Sequence, residues 1–184
     1  MEIEIRRGDI TKDALDCDAI VNAANPSLLG GGGVDGSIHR AAGYMLKLYC
    51  TTDFDQVEPG VRCRTGETVV TPAFKIPVKA IIHTVGPIFP DGREPKMPGE
   101  SVSESPEALL ETCLMNVMQT AENEGFKSIA LPAISCGVYG GTIPQFARIA
   151  AEVLNMGWNL DRVVVILFEE SEYKDFLNTF ILYE

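Results

Sequence analysis

Apolar runs of strand length alternate with amphipathic segments of helix length along this chain, and that alternation constrains the fold more than any other feature. "RVVVILF" (162–168) is the clearest buried strand, and "AIVNAA" (19–24) and "SIALPAI" (128–134) read the same way. A period of two around Ile3 and Ile5, and the β-rich segments "GETVVTPA" (66–73) and "KAIIHTVG" (79–86), add further strands. Between them, residues 34–49 and 106–124 predict helices. The second has Ala108, Leu109, Cys113, Val117 and Ala121 on one face and Gly125 as a stop. Another helix follows Thr142 as N-cap, with Pro144 in its first turn. Ser171 is expected to cap a last helix whose positive end suits Glu172 and Asp175. Continuous apolar strands separated by helices imply an α/β fold, with a largely parallel sheet covered on both faces. Ligands of such sheets bind at the carboxyl ends of the strands.

The length of 184 residues fits one domain, 1–184, able to bury roughly 70% of the surface of its unfolded chain. Apolar runs near the ~20 residues of a membrane span are missing, and the first residues lack the apolar core of a signal peptide. With a net charge of −11 and 15 Lys and Arg, direct nucleic-acid binding is not expected. A small anion is compatible, because backbone N–H groups bind phosphate without basic side chains. Five irregularly spaced cysteines, no C-x-x-C pair and two histidines argue against a metal site and for free thiols in a reducing cytoplasm. A monomer without a cofactor is the expected state. The segment "PDGREPKMPGESVSESP" (90–106) holds four prolines and no apolar periodicity. It reads as a flexible surface insertion, with a lid or docking loop as the sharper alternative.

Two glycine loops, 30–33 and 137–141, each follow a predicted strand and precede a predicted helix. Neither matches a P-loop or a dinucleotide fingerprint, since no Lys follows and the first four glycines are adjacent. Each offers a nest of N–H groups and a helix N-terminus, so together they could hold a diphosphate. Pattern alone weights this equally with a pair of tight turns.

"GDIT" (8–11), "VNAANPSLLGGGGVDGSIHRAAG" (21–43), "HTVGP" (83–87) and "PAISCGVYGG" (132–141) together resemble the macro domain, most closely its MacroD-type branch. The resemblance runs through nearly the whole chain. It implies a three-layer α/β/α sandwich with a mixed, largely parallel sheet that binds ADP-ribose. It further implies a hydrolase that removes mono-ADP-ribose from acidic protein side chains, deacetylates O-acetyl-ADP-ribose, or both. The partners would be ADP-ribose or O-acetyl-ADP-ribose and mono-ADP-ribosylated proteins. A non-catalytic binding module is the alternative, and an RNA-associated protein a weaker third reading that the charge opposes.

Carried over by position, the resemblance gives Asp9 and Ile10 to adenine and places Phe168 against its ring. Gly31, Gly32, Gly33 and Val34 would line one side of the diphosphate and distal ribose, and Ser135, Cys136, Gly137, Val138 and Tyr139 the other. Ala23 joins this ligand-binding set. Asn25 would hold the distal ribose hydroxyls, and Asp35 would position or activate water beside them. Each residue also has a plainer reading. Asp9 is otherwise a turn or cap residue, Phe168 and Tyr139 are core aromatics, and Asp35 is a first-turn helix acid. Asn22 is read as bracing the loop backbone, and His39 and His83 as structural. Cys136 departs from the Ser, Thr or Ala commoner in the family. With no base partner evident, it reads as a small loop residue. "GGTIP" after Tyr139 also departs from the commoner Gly-Tyr-Pro.

Overall fold

In the computed structural model, residues 1–89 and 105–183 are described; the 90–106 insertion, apart from its last two residues, lies outside them. Among the described residues, one sheet holds β1 (Glu2–Arg7), β2 (Ala19–Ala24), β3 (Thr68–Pro72), β4 (Ala80–Val85), β5 (Ser128–Pro132) and β6 (Arg162–Leu167), in the order β1-β6-β5-β2-β4-β3. Every pairing is parallel except β3 with β4, which is antiparallel at the edge. The sheet is therefore mixed and largely parallel, as its apolar strands predict.

The helices divide between the two faces. Strand period two sends Ala19 and Val21 of β2 to one side, where they pack with α3 (Pro106–Asn123), α4 (Ile143–Leu154) and α5 (Glu170–Phe180). Ile20 and Ala24 face the other side, under α1 (Gly33–Ala42) and α2 (Tyr44–Asp53). Leu114, Met118, Phe146, Phe176 and Phe180 fill the first layer, and Ile38, Leu46 and Cys50 the second. Three layers result, and no helix among the described residues is long and apolar enough to cross a membrane.

Three local expectations need correction. The helix expected over 34–49 is two helices, because Gly43 takes φ 84°, a left-handed value that breaks the α-helical ladder. The last helix is capped at Glu169, whose N–H donates to Glu172 Oε2 at 3.1 Å; Ser171 lies inside it. Ala108 is exposed, its N–H donating to the Ser105 hydroxyl, and the buried stripe of α3 is widened instead by Leu110, Leu114 and Met118. Thr142 and Pro144 open α4 as expected, with the Thr142 hydroxyl accepting from Gln145 N–H.

Parallel pairing puts the carboxyl ends of β1, β2, β4, β5 and β6 on one edge of the sheet. The glycine loops leave adjacent strands, β2 and β5, at that edge. They therefore face each other across whatever binds there.

Candidate functional site

A cleft of about 670 Å³ opens at this edge, within the range of sites that hold drug-sized and nucleotide-sized ligands. Its floor is the strand ends, Ala23, Ala24, Pro132, Ile166 and Leu167, with Gly86 after β4. One wall is Gly31–Asp35, the other Ser135–Tyr139, and Asp9, Ile10 and Phe168 close one end. All fifteen residues assigned to the site from the sequence line this one cleft.

The first wall is backbone by necessity. A Cβ on Gly31 would lie 3.2 Å from Asn25 Nδ2 and 3.3 Å from Asp35 Oδ2, so a side chain there would press into the space between them. Gly32 caps α1, whose free first-turn N–H groups and positive dipole end face the cleft. The second wall works differently from expectation. Helix α4 spends its first turn internally: Pro144 has no N–H, Gln145 N–H donates to the Thr142 hydroxyl, and Phe146 N–H to the Thr142 carbonyl. The 135–139 turn itself lines the cleft, with Ser135 in the left-handed region at φ 66° and the Cys136 N–H donating to the Ala133 carbonyl at 3.4 Å. Val138 is fully exposed at the rim.

Asp35 sits in the first turn of α1, only 3% exposed. Its Oδ1 accepts from Asn22 Nδ2 at 2.8 Å and lies 3.4 Å from His39 Nε2, near enough for charge contact but without hydrogen-bond alignment. Its Oδ2 is buried beside Gly31 without an aligned hydrogen bond, and the Asn25 backbone also favours the charged carboxyl. Burial pushes the Asp35 carboxyl above the ordinary carboxylate range, and the Asn22 hydrogen bond and His39 moderate the rise. His39 is moved down by burial, against the pull of Asp35. His83 is wholly buried and pushed down to about 3, so it is neutral.

Asn25, not Asn22, braces the glycine loop: its Nδ2 donates to Gly30 O at 3.0 Å, and its Oδ1 accepts from Ser27 N–H and Oγ–H at 3.1 and 2.6 Å. The bond to Gly30 uses one of the two Asn25 amide hydrogens, and Asn25 lines the cleft. Asn22 points to the α1 side of the sheet and reaches Asp35 instead of the loop.

At the other end, Asp9 is both a turn residue and part of the cleft. Its Oδ1 accepts from Thr11 N–H at 2.9 Å and Thr11 Oγ1–H at 2.7 Å, and Lys12 Nζ lies 3.1 Å from Oδ2. Burial raises its pKa, but the Thr11 and Lys12 contacts outweigh that and hold it below the usual value. Phe168 is 67% exposed, which excludes core packing and leaves a ring face at the cleft mouth. Tyr139 is half-buried, its carbonyl accepting from Phe89 N–H at 2.6 Å.

A Macro domain family profile matches residues 21–150. A macro domain-containing protein of Xanthomonas axonopodis pv. citri is 46% identical over 179 residues, covering 95% of this chain and 92% of that protein. The chain belongs to the macro domain family. An O-acetyl-ADP-ribose deacetylase of Salmonella newport is 47% identical over 153 residues, 83% of this chain and 77% of that enzyme. Among solved structures, the Oceanobacillus iheyensis macrodomain with ADP superposes with a TM-score of 0.84 at 38% identity, covering 98% of this chain and 90% of that one.

This macro domain also lines its cleft with residues that sequence reasoning passed over. Ser37 and Arg40 share the cleft face of α1 with Gly33 at helical spacing i, i+4, i+7, a period that was available to find them. Arg40 is exposed, and its Nη2 donates to Ser37 Oγ at 3.0 Å. Glu172 of α5 enters the lining from the far side.

Proposed function

We propose that this macro domain binds ADP-ribose in the cleft and hydrolyses esters carried on its distal ribose. The substrates would be O-acetyl-ADP-ribose and mono-ADP-ribose linked to acidic side chains of proteins. The observation that carries the reading is the Asp35 carboxyl, buried beside the first glycine wall with no aligned hydrogen bond at Oδ2. The relatives named for O-acetyl-ADP-ribose deacetylation and the ADP-bound neighbour favour the same ligand class.

Adenine would lie against Phe168 with its amino group toward Asp9. The diphosphate would take hydrogen bonds from the facing loop amides, which fixes the distal ribose by remote binding energy. Asn25 would hold the ribose hydroxyls. Water would give a proton to Asp35 Oδ2 as its oxygen bonds to the acyl carbon. The acyl–oxygen bond to the ribose then breaks, and the ribose oxygen takes up that proton. The products are ADP-ribose and a free carboxylic acid. While it stays ionised, a carboxylate whose pKa burial has raised is a stronger base than an ordinary one. Loop amide dipoles would stabilise the negative charge that develops. Residues 1–184 would act as one domain, monomeric and cytoplasmic.

Two assays test this: calorimetry with ADP-ribose, and hydrolysis of O-acetyl-ADP-ribose and of Glu-linked ADP-ribosylated protein. Asp35→Ala and Asn25→Ala are expected to slow ester cleavage by roughly ten- to a thousand-fold, the range for a lost positioned group. Unchanged turnover in both variants removes the mechanism. Tight binding without release of ADP-ribose by the wild type makes the domain a reader instead.

A further inference from the structure

Behind Asp35 runs a row of buried polar side chains that the cleft does not require. Asn22, His83 and Thr71 are 0%, 0% and 1% exposed, and lie on β2, β4 and β3. They share the sheet face under α1 and α2, which is otherwise apolar, with Ile20, Ala24, Ile81 and Val85. Asn22 and His83 are direct partners in the parallel register. Asn22 Nδ2 stands 2.8 Å from Asp35 Oδ1 and 3.0 Å from His83 Nδ1, and His83 Nε2 stands 2.9 Å from Thr71 Oγ1. Thr71 Oγ1 in turn donates to the Pro72 carbonyl at 3.1 Å.

The polarity of this row is determined by Asn22. The Asn22 amide nitrogen has two hydrogens and no acceptor capacity, so it donates to both Asp35 Oδ1 and His83 Nδ1. His83 therefore accepts at Nδ1 and carries its proton on Nε2, which donates to Thr71. Buried polar groups are costly unless paired, and valine or leucine would fill this face without such a requirement. Asn22 Oδ1 is even left without a partner. What the row delivers is a single oriented donor at Asp35.

We propose, on the footing of Asp35 as the general base, that Asn22 and His83 are positioning residues for it. They commit Oδ1 to the sheet, leave Oδ2 free of that network beside Gly31 in the cleft wall, and favour the ionised carboxylate needed to accept a proton. His83 acts through Asn22 by fixing which way its amide points, and Thr71 anchors the His83 tautomer. The titratable groups around Asp35 are His39 from α1, Cys50 from α2 and, across Asn22, His83 from β4. Of the groups facing the carboxyl, only Asn22 gives it an aligned side-chain hydrogen bond. That bond lowers the Asp35 pKa against the burial that raises it, so its loss moves the carboxyl further up.

Three variants graded by distance from Asp35 test the row. Asn22→Asp keeps the shape but exchanges the donors for an acceptor, His83→Phe removes the Nδ1 acceptor, and Thr71→Val removes the outer anchor. For each, kcat and KM on O-acetyl-ADP-ribose are measured across pH, with ADP-ribose affinity by calorimetry. The Asp35 carboxyl is followed separately by ¹³C shift in aspartate-labelled protein, assigned with Asp35→Asn. Asn22→Asp is expected to lower kcat at neutral pH by roughly ten-fold or more, with ADP-ribose affinity held within about two-fold. The acid limb of its profile and the Asp35 ¹³C midpoint both move to higher pH. His83→Phe and Thr71→Val follow in the same direction, each smaller than the last. An unmoved limb and midpoint overturn the proposal, as does a parallel loss of kcat and affinity in every variant. If Asn22→Asp fails to fold, His83→Phe and Thr71→Val decide by the same readouts. The ¹³C titration needs no turnover, so it still decides the row's effect on Asp35 if the esterase reading itself fails.

Discussion

The two ends of the cleft each present an aspartate, and the protein treats them oppositely. Asp35 is buried in a polar network, with one oxygen held by Asn22 and the other without an aligned hydrogen bond, and its pKa is raised. Asp9 sits in a solvated turn, with both oxygens committed to Thr11 and Lys12, and its pKa is lowered. A raised carboxyl suits proton transfer, and a lowered one suits a permanent hydrogen-bond acceptor. Environment, not residue type, thus sets the two carboxyls apart, and on the proposed reading it divides the cleft into an end for chemistry and an end for grip. The same substitution at each end breaks the comparison most directly. Asp35→Asn should reduce kcat by roughly ten- to a thousand-fold with ADP-ribose affinity nearly unchanged. Asp9→Asn should weaken ADP-ribose binding by roughly ten-fold, the loss of one charge-assisted hydrogen bond, while kcat stays. A mirror-image result, with Asp9 controlling kcat, would reverse the assignment.

The ends also differ in the pH at which they cost stability. His83 is pushed down to about 3 in the folded protein, against about 6.5 in an unfolded chain. The unfolded state therefore binds more protons between these values, so stability falls as pH drops from about 6.5, with a slope approaching about 1.4 kcal/mol per pH unit. Asp9 has a lowered folded pKa, so its contribution is present above its unfolded value and is lost only as pH falls below it. Asp35 runs the other way, since its raised pKa lets the folded state take up a proton first. Urea titrations of wild type and His83→Phe between pH 7 and 5 separate these effects. The variant should show a flatter dependence there, and an equal slope in both proteins would mean that His83 is not held neutral.

Much of this division was legible before the fold was in view. Period two and 3.6 located the strands and most helices, because burial on a two-sided sheet leaves little choice of residue. The glycine walls and Asp35 drew their site reading from the family resemblance, since pattern alone fits a pair of tight turns and a first-turn helix acid equally well. The row behind Asp35 was not legible. Asn22 and His83 are 61 residues apart in sequence. Only the register that pairs β2 with β4, and the choice of which face meets α1, brings them together. The split at Gly43 was hidden for another reason: apolar spacing continues across it through Leu46 and Cys50, and only the left-handed backbone marks the break. Glu169 was missed because Ser171 is the better cap by residue type, whereas the chain leaves β6 two residues earlier.

At the gripping end, Phe168 sharpens the contrast further. Its ring is mostly exposed and adds nothing to the core, so Phe168→Ala should leave the melting temperature unchanged. Loss of one base–aromatic stack, about 1 kcal/mol at the low end, predicts roughly five-fold weaker ADP-ribose binding. ADP and ADP-ribose should suffer alike, while ribose 5-phosphate should not notice the change. Equal loss for all three ligands would place the ring elsewhere than on the base.

The smallest effect belongs to the one thiol in the cleft wall. Burial, and after it the Glu172 charge, pushes Cys136 up to about 12, and its Sγ lies 3.5 Å from the Ile134 carbonyl. A thiol so protonated is a poor nucleophile at neutral pH. What the position supplies is a small side chain in a turn whose backbone faces the ligand. Cys136→Ser keeps that turn and should hold kcat and KM within about two-fold, and thiol alkylation at neutral pH should be slow. A large loss in Cys136→Ser together with rapid, ADP-ribose-protected alkylation would make the second wall chemical rather than structural. The cleft would then have reacting groups on both sides, and the separation of grip from chemistry would no longer follow the two aspartates.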